Sequence, residues 1–173
     1  VAAACEVPVA KHGNKAISSK TGSADVLSAL GVNIDAPMEL IRESLWSHNI
    51  GFLMAPRHHG AMKHVGPTRT ELGTRTIFNL LGPLSNPTNT KRQLVGVFDQ
   101  KWCKPIAEVF GKLGAKHVWV VHGLDGMDEL TISGPSVVAC YNDGKLTEFE
   151  VTPEHANLKR SQIRDLKGGD PSA

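Results

Sequence analysis

The stretch QLVGVFDQKWCKPIAEVFGKLGAKHVWVV, from Gln93 to Val121, decides the fold. It opens on an apolar run, Gln93 to Phe98, that reads as a strand, and closes on a second, His117 to Val121. Between them, Lys101 to Leu113 sets Ile106, Val109, Phe110 and Leu113 at helical spacing, so one face of a helix turns inward. Strand, helix and strand in that order make a crossover unit with parallel strands, right-handed by the usual steric rule. Working outward, strand-like and helix-like segments keep alternating, which is the pattern of an α/β domain. Upstream lie a short buried strand, Val7 to Ala10, an apolar helical face, Val26 to Leu30, a helix begun by Pro37 with Met38, Leu40, Ile41 and Leu45 at helical spacing, and a strand, Ile50 to Ala55. His58 to Leu72 reads as a mixed helical stretch kinked at Gly66-Pro67. Downstream, Ser136 to Tyr141 and Leu146 to Val151 flank Asn142-Asp143-Gly144, the turn chemistry of a β-hairpin.

Composition narrows the function. A chain of 173 residues buries one sizeable core, and 40% hydrophobic with 21% charged residues fits a globular protein. No apolar run is long enough to cross a bilayer, so no membrane partner is expected. The net charge is +2 with Lys and Arg scattered, which argues against nucleic acid and for a small anionic ligand. Cys5, Cys103 and Cys140 are odd in number and widely spaced, with no metal-ligand pattern, and read as reduced, buried thiols of a cytoplasmic protein. Val1 to Cys5 reads as the tail of an apolar helix rather than a leader, and the sequence as a piece of a longer one.

Four stretches carry chemistry. Lys11-His12-Gly13-Asn14, followed by Ser18-Ser19-Lys20-Thr21-Gly22-Ser23-Ala24-Asp25, falls in a strand-to-helix connection, where glycines and helix N–H groups suit phosphate and Ser23 or Asp25 serves as cap. A capped surface loop is the other reading. Met54 to His64, running on to Arg69, gathers histidines, arginines and a lysine that suit a carboxylate or a solvated basic face. Zinc is disfavoured, because His59 and His64 are not stacked on one helix face and no Glu stands near. Thr76 to Pro87, with Gly82-Pro83 and Asn86-Pro87, reads as a rigid loop that walls a pocket. His122 to Leu130 sets Asp128 and Glu129 at the carboxyl end of a strand, where they either hold magnesium or cap a turn.

Together these stretches resemble the anthranilate phosphoribosyltransferase family, of the nucleoside-phosphorylase-like class. The resemblance rests on Lys11-His12-Gly13-Asn14, Ser18-Ser19 and Gly22 to Asp25, then His58-His59, Ala61 to Val65 and Arg69. It continues through Arg75 to Leu84 with Asn86-Pro87, and Gly123 to Gly126 with Asp128-Glu129. The first motif alone is shared with pyrimidine nucleoside phosphorylases. The resemblance implies transfer of phosphoribosyl from phosphoribosyl pyrophosphate to anthranilate, a step of tryptophan biosynthesis. It implies that Lys11, Asn14 and Ser18 contact phosphoribosyl pyrophosphate and that Asp128 and Glu129 bind Mg2+. His12, Asn14, His59 and Arg69 would line the anthranilate route, and no residue is implied as a catalytic base. A pyrimidine nucleoside phosphorylase or a non-catalytic phosphosugar-binding module are the alternatives.

By the same resemblance the fold is a mostly parallel central sheet flanked by helices, with a helical segment of a second, largely absent domain. Residues 1–35 and 74–173 would form the α/β domain and 36–73 the helical segment, and the full-length protein would be a homodimer. The family's glycine-rich pyrophosphate loop has no counterpart in this sequence, so the 173 residues alone are expected to be inactive. Lys15 stands where the family often has Arg, and Gly60 where Pro is common.

Overall fold

The computed structural model describes residues 1–15, 22–60, 64–74 and 76–166. Six strands and six helices order as β1 (Val9–Gly13), α1 (Ser23–Ala29), α2 (Met38–His48), β2 (Ile50–Met54), α3 (Ala55–His58), α4 (Gly66–Leu72), α5 (Phe78–Leu84), β3 (Arg92–Gly96), α6 (Cys103–Lys112), β4 (His117–Gly123), β5 (Ser136–Asn142) and β6 (Lys145–Val151) among the described residues. They fall into two compact units: Val1–Thr76 with Asn86–Thr88, and Ile77–Ser85 with Asn89–Lys167.

In the second unit, β3 and β4 pair in parallel across α6, as the opening stretch predicts, with Arg92 opposite His117 and Gly96 opposite Val121. β5 then pairs antiparallel with β4, and β6 with β5, so this four-stranded sheet is mixed. The sheet is thus less parallel than expected, because the connection after β4, residues 124–135, contains no helix to carry the chain across the sheet and instead folds back beside β4. The hairpin forms as its turn chemistry dictates, with Asp143 at φ 42° and Gly144 at φ 92°.

Alternation along the strands builds two apolar faces. Val118, Val120 and Ala139 meet Cys103, Ile106, Ala107 and Phe110 of α6 on one face, while Val121, Val138 and Cys140 form a cluster on the other. Phe110, 2% exposed, stabilises this core by about 1.5–3 kcal/mol. Ala107 faces inward while Val109 is half-buried and Leu113 is exposed, because α6 starts at Cys103 and its buried stripe runs through Cys103, Ile106, Ala107 and Phe110. Tyr141 packs over Gly111: a Cβ there would meet its ring at 2.5 Å and 2.8 Å. Cys103 and Cys140 are buried as expected, but Cys5 is exposed.

In the first unit, β1 and β2 pair in parallel, with Lys11 opposite Phe52 and His12 opposite Leu53. Ala24, Ile34 and Met54 form its small core, with Leu27 and Phe52 beside them. α2 lies close against β2 at Gly51, where a Cβ would meet Ile41 Cγ2 at 3.2 Å. Three local expectations shift. Val7 is exposed and precedes β1, whose pairing with β2 takes in Lys11, His12 and Gly13. Gly66-Pro67 starts α4 rather than kinking a longer helix, since Pro fits a first turn. α5 runs through Gly82-Pro83 into its last turn, where Gly82 relaxes the restriction on the residue before proline.

Candidate functional site

Two groups of side chains carry the chemistry, one in each unit. In the first, Lys11 and His12 belong to β1 itself rather than to the connection after it, so the parallel ladder fixes their backbone. Alternation sends the exposed Lys11 and the half-buried His12 to opposite sides of the strand. Asn14 follows at the strand end, its Oδ1 accepting the Lys15 N–H at 2.8 Å. At Gly13 a Cβ would meet the Phe52 ring at 3.1 Å and Ser23 Oγ at 3.6 Å, so the start of α1 sits close to the end of β1. Gly22 is the N-cap of α1, and Asp25 reaches back to accept the Gly22 N–H at 2.9 Å.

His59, just after α3, brings its Nε2 to 3.0 Å from His12 Nε2, with ring centroids 4.9 Å apart and planes at 77°. One ring therefore donates its N–H to the bare nitrogen of the other. Burial first, then the neighbouring His59, His58 and Lys11, push the His12 pKa below the ordinary imidazole value. Burial, His59 and Arg57 do the same to His58. The protonated form of His12 is thus disfavoured in the midst of a basic cluster. Arg57 itself donates from Nη1 to the Ala36 carbonyl at 2.6 Å, tying α3 to the chain entering α2.

Arg69 is carried by α4, half-buried, its N–H donating to the Val65 carbonyl at 3.0 Å. Ser18 lies outside the described residues. Asn86, read from sequence only as part of a loop wall, instead reaches β1: its Nδ2 lies 3.4 Å from the Ala10 carbonyl oxygen. Its Oδ1 accepts the Thr88 N–H at 3.0 Å and the Thr88 hydroxyl at 2.7 Å, a turn that the Asn-Pro-Thr spacing could have signalled. Among the described residues no three His, Cys, Asp or Glu side chains converge as metal ligands.

The second group sits on the loop between β4 and β5. His122, buried, donates from Nδ1 to the Val97 carbonyl at 2.8 Å and ties the end of β4 to the chain leaving β3. The Gly123 N–H donates to the Met127 carbonyl at 2.8 Å, and Gly126 turns the chain at φ 97°. Asp125 is the knot of this loop, accepting the hydroxyls of Thr131 and Ser133 and the Met127 N–H. Desolvation pushes its carboxyl up, but the Ser133, Thr131 and Met127 hydrogen bonds outweigh this and hold it below the usual carboxylate range. Sequence reading passed over this role, because the partners follow six and eight residues later with no fixed pattern.

Asp128 and Glu129 project from that loop, both exposed, and neither takes an ion pair among the described residues. Two adjacent carboxylates offer hard oxygen donors but no complete cage. That donor set fits Mg2+, which binds one or two carboxylates and completes its shell with water and substrate phosphate.

Comparison with known proteins agrees with this architecture. The sequence profile of the glycosyl transferase family, a/b domain, matches residues 1–173. An anthranilate phosphoribosyltransferase of Paramagnetospirillum magneticum is 65% identical over 170 residues, covering 98% of this chain and 49% of that protein. The crystal structure of anthranilate phosphoribosyltransferase from Thermus thermophilus superposes with a TM-score of 0.89 at 49% identity, over 98% of this chain and 50% of that one. The Saccharomyces cerevisiae anthranilate phosphoribosyltransferase in complex with PRPP and Mg superposes with a TM-score of 0.80 at 27% identity, over 94% of this chain and 45% of that one. The chain spans about half the length of the curated relatives it matches. With a profile matched from Val1 to Ala173 and the strand-helix-strand core in place, the chain belongs to the glycosyl transferase family, a/b domain.

Proposed function

We propose that the full-length protein transfers the phosphoribosyl group of phosphoribosyl pyrophosphate to the amino nitrogen of anthranilate and releases pyrophosphate, a step of tryptophan biosynthesis in the cytoplasm. The observation that carries this reading is the His12–His59 pair, two imidazoles from motifs 47 residues apart brought within hydrogen-bonding distance. The 65% identity to a protein of that name supports it.

In this reading Lys11, Asn14 and Ser18 bind the phosphoribosyl pyrophosphate, with the Lys11 ammonium set against phosphate oxygens. His12, Asn14 and His59 line the route of the aromatic amine, and Arg69 draws in its carboxylate with a planar guanidinium fork. The hydrogen-bonded imidazole pair gives that route a polar wall. Mg2+, held by Asp128 and Glu129, supplies charge neutralisation to the departing diphosphate when bound. An aromatic amine is a weak base whose lone pair is free at neutral pH, so alignment rather than deprotonation is the main demand on the protein. No residue is assigned as a catalytic base.

Residues 1–35 and 74–173 then form the α/β domain, its central sheet mostly parallel in the full-length protein. Residues 36–73 belong to a smaller helical domain through which two copies associate. The exposure of Leu40 (53%) and Trp46 (75%) on α2 supports that assignment.

The test is an assay of purified full-length protein for anthranilate-dependent release of pyrophosphate with Mg2+ present. Turnover is expected. Phosphate-dependent cleavage of thymidine or uridine instead would make the protein a nucleoside phosphorylase. Binding of phosphoribosyl pyrophosphate with no turnover would make it a non-catalytic module.

A further inference from the structure

We infer that Gly96, at the end of β3, is a positioning residue for the acidic loop: its missing side chain is the space in which the Asp128 backbone stands. An ideal Cβ on Gly96 would overlap the Asp128 carbonyl oxygen, lie 2.5 Å from its carbonyl carbon and 3.4 Å from the Glu129 nitrogen. Real Cβ atoms do not approach backbone so closely, and here the obstacle is main chain, which no rotamer change can move aside. The loop that bears both carboxylates is thus seated directly on the strand end.

Two further contacts make this seat specific. At Gly123 a Cβ would lie 2.6 Å from Asp125 Oδ1 and 3.2 Å from Thr131 Cβ, so the knot around Asp125 also closes over a bare backbone. The buried Ser136 accepts the Thr131 N–H at 2.9 Å through its hydroxyl, anchoring the far end of the loop to β5. Asp128 is therefore held from below by Gly96 and from the side by the Asp125 hydroxyl knot, while its carboxylate and that of Glu129 remain exposed.

The inference rests on the reading that Asp128 and Glu129 hold the divalent cation. Its test uses Mn2+ as a paramagnetic probe, a hard-ligand cation that oxygen donors accept in place of Mg2+. Substoichiometric Mn2+ is titrated into the full chain, and the broadening of amide resonances across 123–133 gives the concentration for half effect. Gly96→Ala is expected to raise that concentration by about ten-fold or more, the usual cost of losing the support of a metal ligand. It should also speed hydrogen exchange at the Gly123 and Met127 amides. Val97→Ala, which truncates a buried neighbour, should lower the melting temperature while leaving the Mn2+ response within two-fold.

Should Gly96→Ala fail to fold, the double variant Thr131→Val with Ser133→Ala removes the hydroxyl partners of Asp125 and tests the same seating with the same expected shift. Unchanged Mn2+ response and exchange in Gly96→Ala, or in that double variant, would overturn the inference. So would an equal loss of Mn2+ response in Val97→Ala. Broadening that survives Asp128→Asn combined with Glu129→Gln would overturn instead the assignment of the cation to these carboxylates.

Discussion

The Nε2 atoms of His12 and His59 stand 3.0 Å apart, one on β1 and the other just past the helical turn that follows β2. At that separation a single proton between the rings is attractive and a second is repulsive. The charged state of the cluster, with Lys11, His58 and Arg57 beside it, is therefore opposed from several directions.

This opposition has a signed consequence for stability. The folded-state pKa of His12 and His58 lies below the ordinary value, so between that lowered value and about 6.5 the unfolded chain binds more protons than the folded one. Stability is complete above about pH 6.5 and declines as pH falls through that window. The urea midpoint should drop on going from about pH 7.5 to about pH 5.5, and His12→Asn should flatten that slope. A slope unchanged by the substitution would remove His12 from this account.

On the proposed transfer to anthranilate, Arg69→Ala in the full-length protein should raise KM for anthranilate by about 10- to 100-fold, the cost of one charge-assisted pair, with KM for phosphoribosyl pyrophosphate changed little. Steady-state kinetics with each substrate varied in turn read this directly. Equal effects on both substrates would reassign Arg69.

Gly111→Ala adds a methyl group where the Tyr141 ring lies 2.5 Å and 2.8 Å away. Overpacking of this kind costs about 1–3 kcal/mol, against a gain of about 0.5–1 kcal/mol from replacing a helical glycine. A net loss of stability is expected in denaturant unfolding. Tyr141→Leu in the same background should recover part of it.

Cys5 and Cys103 should separate by chemistry. Cys5 is exposed, whereas burial first, and then Glu148 and Asp99, push the Cys103 thiol up to about 11. Iodoacetamide at about pH 8 should modify Cys5 rapidly and Cys103 only after unfolding, since the thiolate is the reacting species. Peptide mass mapping with and without urea gives the result.

Much of this was legible from residue types. The strand-helix-strand unit from Gln93 to Val121 follows from two apolar runs and one helical stripe, and the hairpin from Asn142-Asp143-Gly144. Local chemistry decides such elements, and local chemistry is what a sequence displays. The antiparallel return of β5 onto β4 was not legible, because it depends on how the loop around Asp125 closes. The extension of β1 through Lys11-His12-Gly13 was hidden for a similar reason: polar residues enter a strand when a distant partner, here Phe52 to Met54, supplies the ladder. The role of Asn86 and the bare backbone of Gly96 were likewise invisible, since each is defined by what approaches it from far along the chain.

The two sheets also differ in when they can assemble. β5 and β6 close across Asp143-Gly144, a local step of microseconds. Among the described residues β1 pairs with β2, beyond α1 and α2, so that pairing must wait until the chain as far as Met54 has left the ribosome. On that ordering the β5–β6 hairpin forms faster than the β1–β2 pairing. The segment bearing Lys11 and His12 is the slow one, open during synthesis to mispairing and to capture by chaperones.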